Sequence, residues 1–283
     1  MVALKRKTLV LADGFRVGLD EAGTGPVPLV FLHGLGATGR AYDEMLQRLA
    51  DKGFRVIALD AVNHGRTGSM RWGHSVEDMT SVTMRTLDAL KIDKAVFVGH
   101  SMGGGMLVEI AARNPHRVAA AILLDAATGQ EHHDATKVGN YGTLAWRAAK
   151  KLAGAAVDIV GDSMDAFKLR DAEERLSLLE TLRNGAGGFR FPRAAYALMR
   201  ANTVPLLQAM QRHGVPTAVL HGLHDQIVPY AAGVSTAKMT DATFYAVDGY
   251  HSWMLADPEL AADLIDLALL DLAYPRRWIQ GVS

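Results

Sequence analysis

The stretch Lys94–Asn114, KAVFVGHSMGGGMLVEIAARN, constrains this chain more than any other. It reads as an apolar strand at Ala95–Val98, a sharp turn at Gly99–Gly103 carrying one serine, and a helix whose Met106, Leu107, Ile110 and Ala111 recur at helical spacing. A strand that turns at once into a helix forces the corner residue into unusual backbone angles and brings neighbouring chain against it. The positions two before and two after must therefore be small, and Gly99 and Gly103 meet that demand. Gly104 and Gly105 go beyond it, at roughly 1 kcal/mol each relative to alanine in a helix. That cost is expected only where the helix backbone packs closely on a strand or a substrate. Gly99-His100-Ser101-Met102-Gly103 is thus a G-x-S-x-G pattern in strand–turn–helix context, with the Ser101 hydroxyl near the amide donors of the helix start. Among 28 glycines the five-residue pattern alone would mean little; its flanks give it meaning.

At 283 residues the chain can bury roughly 75% of its extended surface in one core without staples. It has no cysteine, which excludes disulfides and thiolate nucleophiles or ligands. Its 30 Lys and Arg balance 30 Asp and Glu, so neither nucleic acid nor an anionic membrane is an expected partner. The opening MVALKRKTLVLADG lacks an apolar run of roughly 7–15 residues with a cleavage site, and Asp263, Asp266 and Asp271 interrupt the last apolar segment. The expectation is a cytoplasmic protein acting on a small molecule.

Along the chain, Ala12-Asp13-Gly14 predicts a tight hairpin between Thr8–Leu11 and Val17–Asp20. Continuous apolar runs at Pro28–Leu32, Val56–Leu59, Ala95–Val98, Ala119–Leu124, Thr217–Leu220 and Thr243–Val247 predict buried strands. They alternate with helical patterns at Tyr42–Lys52, Val76–Leu90, Met102–Arg113, Val204–Arg212, Tyr230–Met239 and from Asp257 to about Leu270. Such alternation predicts an α/β fold with a mostly parallel sheet covered on both faces. Between 128 and 203 the rhythm lapses into helix-like pieces around Leu144–Leu152, Ala172–Leu182 and Ala194–Met199. That is too long for a plain connection and predicts an inserted helical cap at 128–203, with core at 1–127 and 204–283.

Every candidate reactive residue falls just past a strand, where open α/β sheets present their crevice. Ser101 comes first, then Asp225 in Gly222-Leu223-His224-Asp225, then His251 in Gly249-Tyr250-His251. A serine hydroxyl needs an imidazole to take its proton, and the imidazole needs a carboxylate on its other nitrogen. Asp125, Asp248 and Asp60 are rival carboxylates; Asp225 is preferred to Asp125 and Asp248, and Asp60 is expected to order the Asn63–Gly68 loop. Of the other histidines, His100 is expected to pack or hydrogen-bond, His33 to brace the His33–Gly36 loop through its ring nitrogens, and His224 to have no chemical role. His132-His133-Asp134 is read as a surface loop opening the cap rather than as a metal site.

These residues together resemble the α/β-hydrolase-fold enzymes over nearly the whole chain: His33-Gly34-Leu35-Gly36, the Ser101 elbow, Asp225 before Val228-Pro229, and His251. The resemblance implies an eight-stranded, mostly parallel sheet with a cap after the sixth strand, an acyl-serine intermediate and no cofactor or metal. It also implies an oxyanion hole from the N–H groups of Met102 and Leu35. Serine at the elbow sets aside the dehalogenases and epoxide hydrolases of this fold, which attack with aspartate. Cofactor-free perhydrolases of the family often carry proline and tryptophan after the first His-Gly, unlike Leu35-Gly36 here. Ser-Met-Gly-Gly also resembles the meta-cleavage product hydrolases, for which Arg190 and Arg193 could hold a substrate carboxylate, although solvated arginines are preferred. Trp146, Met164, Phe167, Phe189, Tyr196 and Trp253 suggest an apolar pocket. The expected activity is hydrolysis of small or medium esters or lactones. The alternatives are carbon–carbon bond hydrolysis and a non-catalytic binding protein on the same fold.

Overall fold

The computed structural model describes residues 2–136 and 190–272. Strands β1 (Lys5–Val10) and β2 (Arg16–Ala22) form the hairpin turned by Ala12-Asp13-Gly14. Strands β3 (Val27–Leu32), β4 (Phe54–Leu59), β5 (Ala95–His100), β6 (Val118–Leu124), β7 (Thr217–Gly222) and β8 (Thr243–Val247) complete one sheet in the order β1-β2-β4-β3-β5-β6-β7-β8. From β4 through β8 every neighbouring pair is parallel; β2 pairs antiparallel with both β1 and β4. The central strands β5, β6 and β7 are buried along their whole length, the condition that makes a continuous apolar run rather than an alternating one.

Helices cover both faces. On one side α2 (Val76–Ala89), α3 (Met102–Arg113) and α6 (Val204–Arg212) bury Met79, Val82, Met106, Leu107, Ile110, Leu207 and Met210 against the sheet. On the other, α1 (Asp43–Asp51), the short α8 (Trp253–Ala256) and α9 (Pro258–Asp271) bury Met45, Leu46, Leu49, Met254, Ile265 and Leu269. Asp257 caps α9 by accepting from the N–H of Leu260, with Pro258 at the first helical position, as its sequence signals.

The cap is inserted between β6 and β7. Its described ends are α4 (Gln130–Thr136) and α5 (Pro192–Arg200), and α7 (Tyr230–Thr240) follows β7. The helices expected at Leu144–Leu152 and Ala172–Leu182, and the pocket residues Trp146, Met164, Phe167 and Phe189, lie outside the described residues. His132-His133-Asp134 belongs to α4, which corrects the expectation of a surface loop: the Gln130 amide donates to the Asp134 carboxylate one helical turn on, and Thr128 hydrogen-bonds Thr236 of α7. Among the described residues no helix is long and apolar enough to cross a membrane.

Candidate active site

Ser101 sits at the corner between β5 and α3 with φ 52° and ψ −114°, a conformation that a residue with a side chain rarely adopts. The neighbouring backbone over-determines it. The Ser101 N–H donates to the carbonyl of Leu124, while its own carbonyl accepts from Ala127, Gly104 and Gly105. The close approach demanded of the flanking glycines is real: a β-carbon at Gly103 would stand 2.0 Å from the Leu32 carbonyl oxygen, and one at Gly99 would stand 2.5 Å from that of Gly103. Gly104 is equally confined, at 2.3 Å from the Ala126 β-carbon. Gly105 is not, since its nearest neighbours would lie at 3.5 and 3.7 Å.

Asp225 and His251 are brought together by the turns after β7 and β8, which are tied by hydrogen bonds from Leu223 to Val247 and from His224 to Gly249. One carboxylate oxygen of Asp225 accepts the N–H groups of Ile227 and Val228, both at 2.8 Å. The other lies 2.8 Å from His251 Nδ1. That bond assigns the Nδ1 proton and leaves Nε2 as the nitrogen that can take a proton, the arrangement of a Ser101–His251–Asp225 catalytic triad. Burial works to raise the Asp225 pKa, but the charges and hydrogen bonds of His251 and His221 hold it well below the usual carboxylate range.

His100 ties the elbow to the turn that carries His251. Its Nε2–H donates to the His251 carbonyl at 2.9 Å, its Nδ1 accepts from the Tyr42 hydroxyl at 2.7 Å, and Tyr42 accepts in turn from the Gly34 N–H. His33 donates to the Gly34 carbonyl and accepts from Ala61; His64 donates to the Val62 carbonyl and accepts from Gly36. Each of these three rings uses one nitrogen as donor and one as acceptor, which only the neutral form can do. Burial lowers all three pKa values, to about 3 for His64 and about 3 for His100, where His33 and His251 respectively add to the effect. Within Gly34–Ala37 the amides of Gly34, Gly36 and Ala37 are all engaged. Among the described residues this leaves Leu35 as the uncommitted N–H of that loop. Met102, as the first residue of α3, has no acceptor within its helix.

The rival carboxylates have other partners. Asp60 accepts the backbone N–H and the guanidinium of Arg66, ordering the loop as expected, and Asp248 faces solvent beside His224. Asp125 is buried at the end of β6, accepting from the Gly222 N–H at 2.8 Å and from the Trp253 indole at 2.7 Å. Trp253 is therefore committed to Asp125 and packed in the core on the α1 side of the sheet, not set out along a pocket wall. Tyr196 lies 43% exposed on α5, its ring 6.1 Å from that of Trp72. Arg190 and Arg193 are partly buried and tied to the core rather than freely solvated: Arg190 donates to the Gly65 carbonyl and Ser69 hydroxyl, and Arg193 to the Met70 carbonyl.

Tyr42, His64 and His221 escaped the sequence reading, since nothing local to them marks a role. His221 ends β7 completely buried, its Nε2 2.9 Å from the Val228 carbonyl and 3.3 Å from Asp225. Asp125, His221 and Asp225 lie close enough to suggest a metal cluster. The donor set does not fit one, because a nitrogen donating to a carbonyl has no lone pair to offer an ion.

The model of the alpha/beta hydrolase fold matches residues 27–258. A protein of Mycobacterium phage D29 bearing a non-heme haloperoxidase name is 70% identical over 99% of this chain and 100% of its own. The non-heme chloroperoxidase of Streptomyces lividans is 27% identical over 89% of this chain and 95% of its own. A hydrolase from Pseudomonas aeruginosa PA01 superposes with a TM-score of 0.74 at 18% identity, covering 96% of this chain and 99% of that one. Sheet order, elbow, triad and the match over most of its length agree, and the chain belongs to the alpha/beta hydrolase fold family.

Proposed function

We propose that this chain is a serine hydrolase of small to medium carboxylic esters or lactones with an apolar side, working through an acyl-enzyme. The observation that carries the reading is the 2.8 Å bond from His251 Nδ1 to Asp225, which leaves Nε2 to serve Ser101 at its strained corner. In the first half-reaction the Ser101 oxygen attacks the ester carbonyl while His251 takes its proton. The negative oxygen that develops is received by the N–H groups of Met102 and Leu35, a kind of contact worth roughly 3–4 kcal/mol in the barrier. Collapse expels the alcohol with the proton from His251 and leaves an acyl group on Ser101. Water, deprotonated by His251, then attacks that ester, and the acid departs as Ser101 regains its proton. Asp225 stabilises the imidazolium in both halves without taking the proton itself.

We further read residues 128–203 as the cap unit of this enzyme, and the cell interior as its working place. A chain without cysteine draws nothing from an oxidising compartment. The direct test is acid release from a panel of C2–C8 acyl esters and lactones. The reading predicts turnover that S101A abolishes, and a protein whose Ser101 is reactive but which releases acid from none of the panel would overturn it.

A second reading is favoured by the haloperoxidase names of the relatives. Hydrogen peroxide attacking the same acyl-Ser101 would release a peracid and regenerate the serine, and the peracid would oxidise halide. It predicts bromination of an activated diketone in acetate, peroxide and bromide, lost in S101A. The carbon–carbon reading is weakened, since Arg190 and Arg193, its proposed carboxylate anchors, are spent on loop carbonyls and a hydroxyl.

A further inference from the structure

Behind the triad lie two buried ionisable groups, Asp125 and His221, that the reaction described above does not use. Oxygens of Asp125 and Asp225 and a ring nitrogen of His221 all fall within 4.8 Å of one another, and none of the three residues is more than 4% exposed. Three acceptors converge on His221 Nε2: the Val228 carbonyl at 2.9 Å, Asp225 at 3.3 Å and Asp125 at 4.0 Å. Asp125 is itself held with φ 41°, so two adjacent strands, β5 and β6, both end in a side-chain-bearing residue forced into the left-handed region. Strain of this kind persists where a side chain must be aimed. Each Asp125 oxygen accepts one N–H donor, from Gly222 and from Trp253, which suits an ionised carboxylate.

We propose that His221 and Asp125 are positioning residues of the triad, with His221 held as an imidazolium between the carboxylates of Asp125 and Asp225. There it orients Asp225 and limits how strongly that carboxylate draws on His251. Two buried carboxylates this close cannot both ionise without a cation between them, and His221 is the group so placed. The protonated ring leaves its Nδ1–H without a partner against Gly233 of α7, a smaller penalty than two facing bare charges. The groups facing the ring are Asp125 after β6, Asp225 from the turn after β7, and Tyr230 of α7, whose ring lies 6.2 Å away; His251, from the turn after β8, acts on the two carboxylates. Burial opposes the charge on His221, but its hydrogen bond to Asp225 and the two carboxylates raise its pKa to about 8. Asp125 is pushed up to about 7 by burial, with the His221 charge working against that rise.

The proposal rests on the serine-hydrolase reading only for its kinetic arm. Nitrogen-15 spectra of the full-length protein at pH 7, with the His221 ring assigned through its own backbone, should show both ring nitrogens protonated. A neutral ring, with one nitrogen in the unprotonated range, would overturn the proposal whether or not the protein proves to be an enzyme. The kinetic arm uses the pH dependence of Ser101 phosphonylation by a fluorophosphonate, which needs no knowledge of the substrate. H221Q keeps an N–H donor for Val228 and Asp225 but cannot carry the charge. Its acid limb should move upward by roughly half to one pH unit, because His251 then faces a less compensated carboxylate. A rate lowered equally at every pH, with the limb unmoved, would reduce His221 to a structural role and contradict the proposal. If wild-type protein takes no label at all, the serine-nucleophile reading fails and the spectra still decide the state of His221.

Discussion

Asp225 is an ion in the folded protein because two backbone amides and two imidazoles surround a carboxylate that burial alone would neutralise. Replacing it by asparagine keeps the shape but offers an amide to His251 Nδ1, which favours the wrong tautomer. D225N should lower kcat by on the order of 10³–10⁴ with little change in KM, measured on any ester that the wild type turns over. His221 supplies a second prediction at this scale. Its folded pKa of about 8 stands above an unfolded value of 6.5, so its contribution to stability is complete below pH 6.5 and is lost as pH rises through 8. Urea unfolding should show roughly 2 kcal/mol less stability at pH 9 than at pH 6 from this group, a slope that H221Q flattens. Ser101, Asp225 and His251 were legible because each sits in a short local pattern directly after a strand. His100 was legible as a hydrogen-bonding neighbour, but its partner was not: its bond to the His251 carbonyl spans 151 residues. Nothing within a few positions of Tyr42, His64 or His221 encodes contacts of that range.

Helix α3 shows what a glycine run does as an element. Three of the five residues from Ser101 to Gly105 are glycine and cost the helix backbone freedom, yet their confinement is unequal. G104A must displace the Ala126 β-carbon and should destabilise by about 1–3 kcal/mol. G105A meets only ordinary contacts and should stabilise by about 0.5–1 kcal/mol through helix propensity; thermal melts of the two variants check both signs. Gly104 therefore answers a tight approach of neighbouring chain, whereas Gly105 meets only ordinary contacts. Strands were readable as elements because those buried on both faces must be apolar over most of their length, as β5 is over Ala95–Val98 and β6 is throughout. Helix ends came close for the same local reason, through Asp257-Pro258 or Asn114-Pro115. His132-His133-Asp134 was misread because its helix is stabilised by packing on α7 rather than by an apolar stripe of its own.

For the whole molecule, the sheet sets the triad and the α5 end of the cap is fastened to the core. Arg190 and Arg193 span from α5 and its entry to the carbonyls of Gly65 and Met70, while Arg193 also lies 6.0 Å over the Trp72 ring. R190A removes two charge-assisted bonds at a partly exposed site, so hydrogen exchange of the amides from Gly65 to Met70 should quicken by about fivefold, consistent with a loss near 1 kcal/mol. The sequence marked these arginines as cationic but not as fasteners, because a backbone carbonyl leaves no trace in composition. Sheet and chain order of the triad followed from alternation and motif spacing; the hydrogen-bond network joining them did not. The account as a whole depends on Ser101 being made nucleophilic by His251. Intact-mass analysis of the full chain after fluorophosphonate treatment should find one adduct, mapped to Ser101, absent in S101A and formed at least on the order of 10³-fold more slowly in H251A. Folded protein that takes no adduct, or an H251A variant that labels at the wild-type rate, would contradict it.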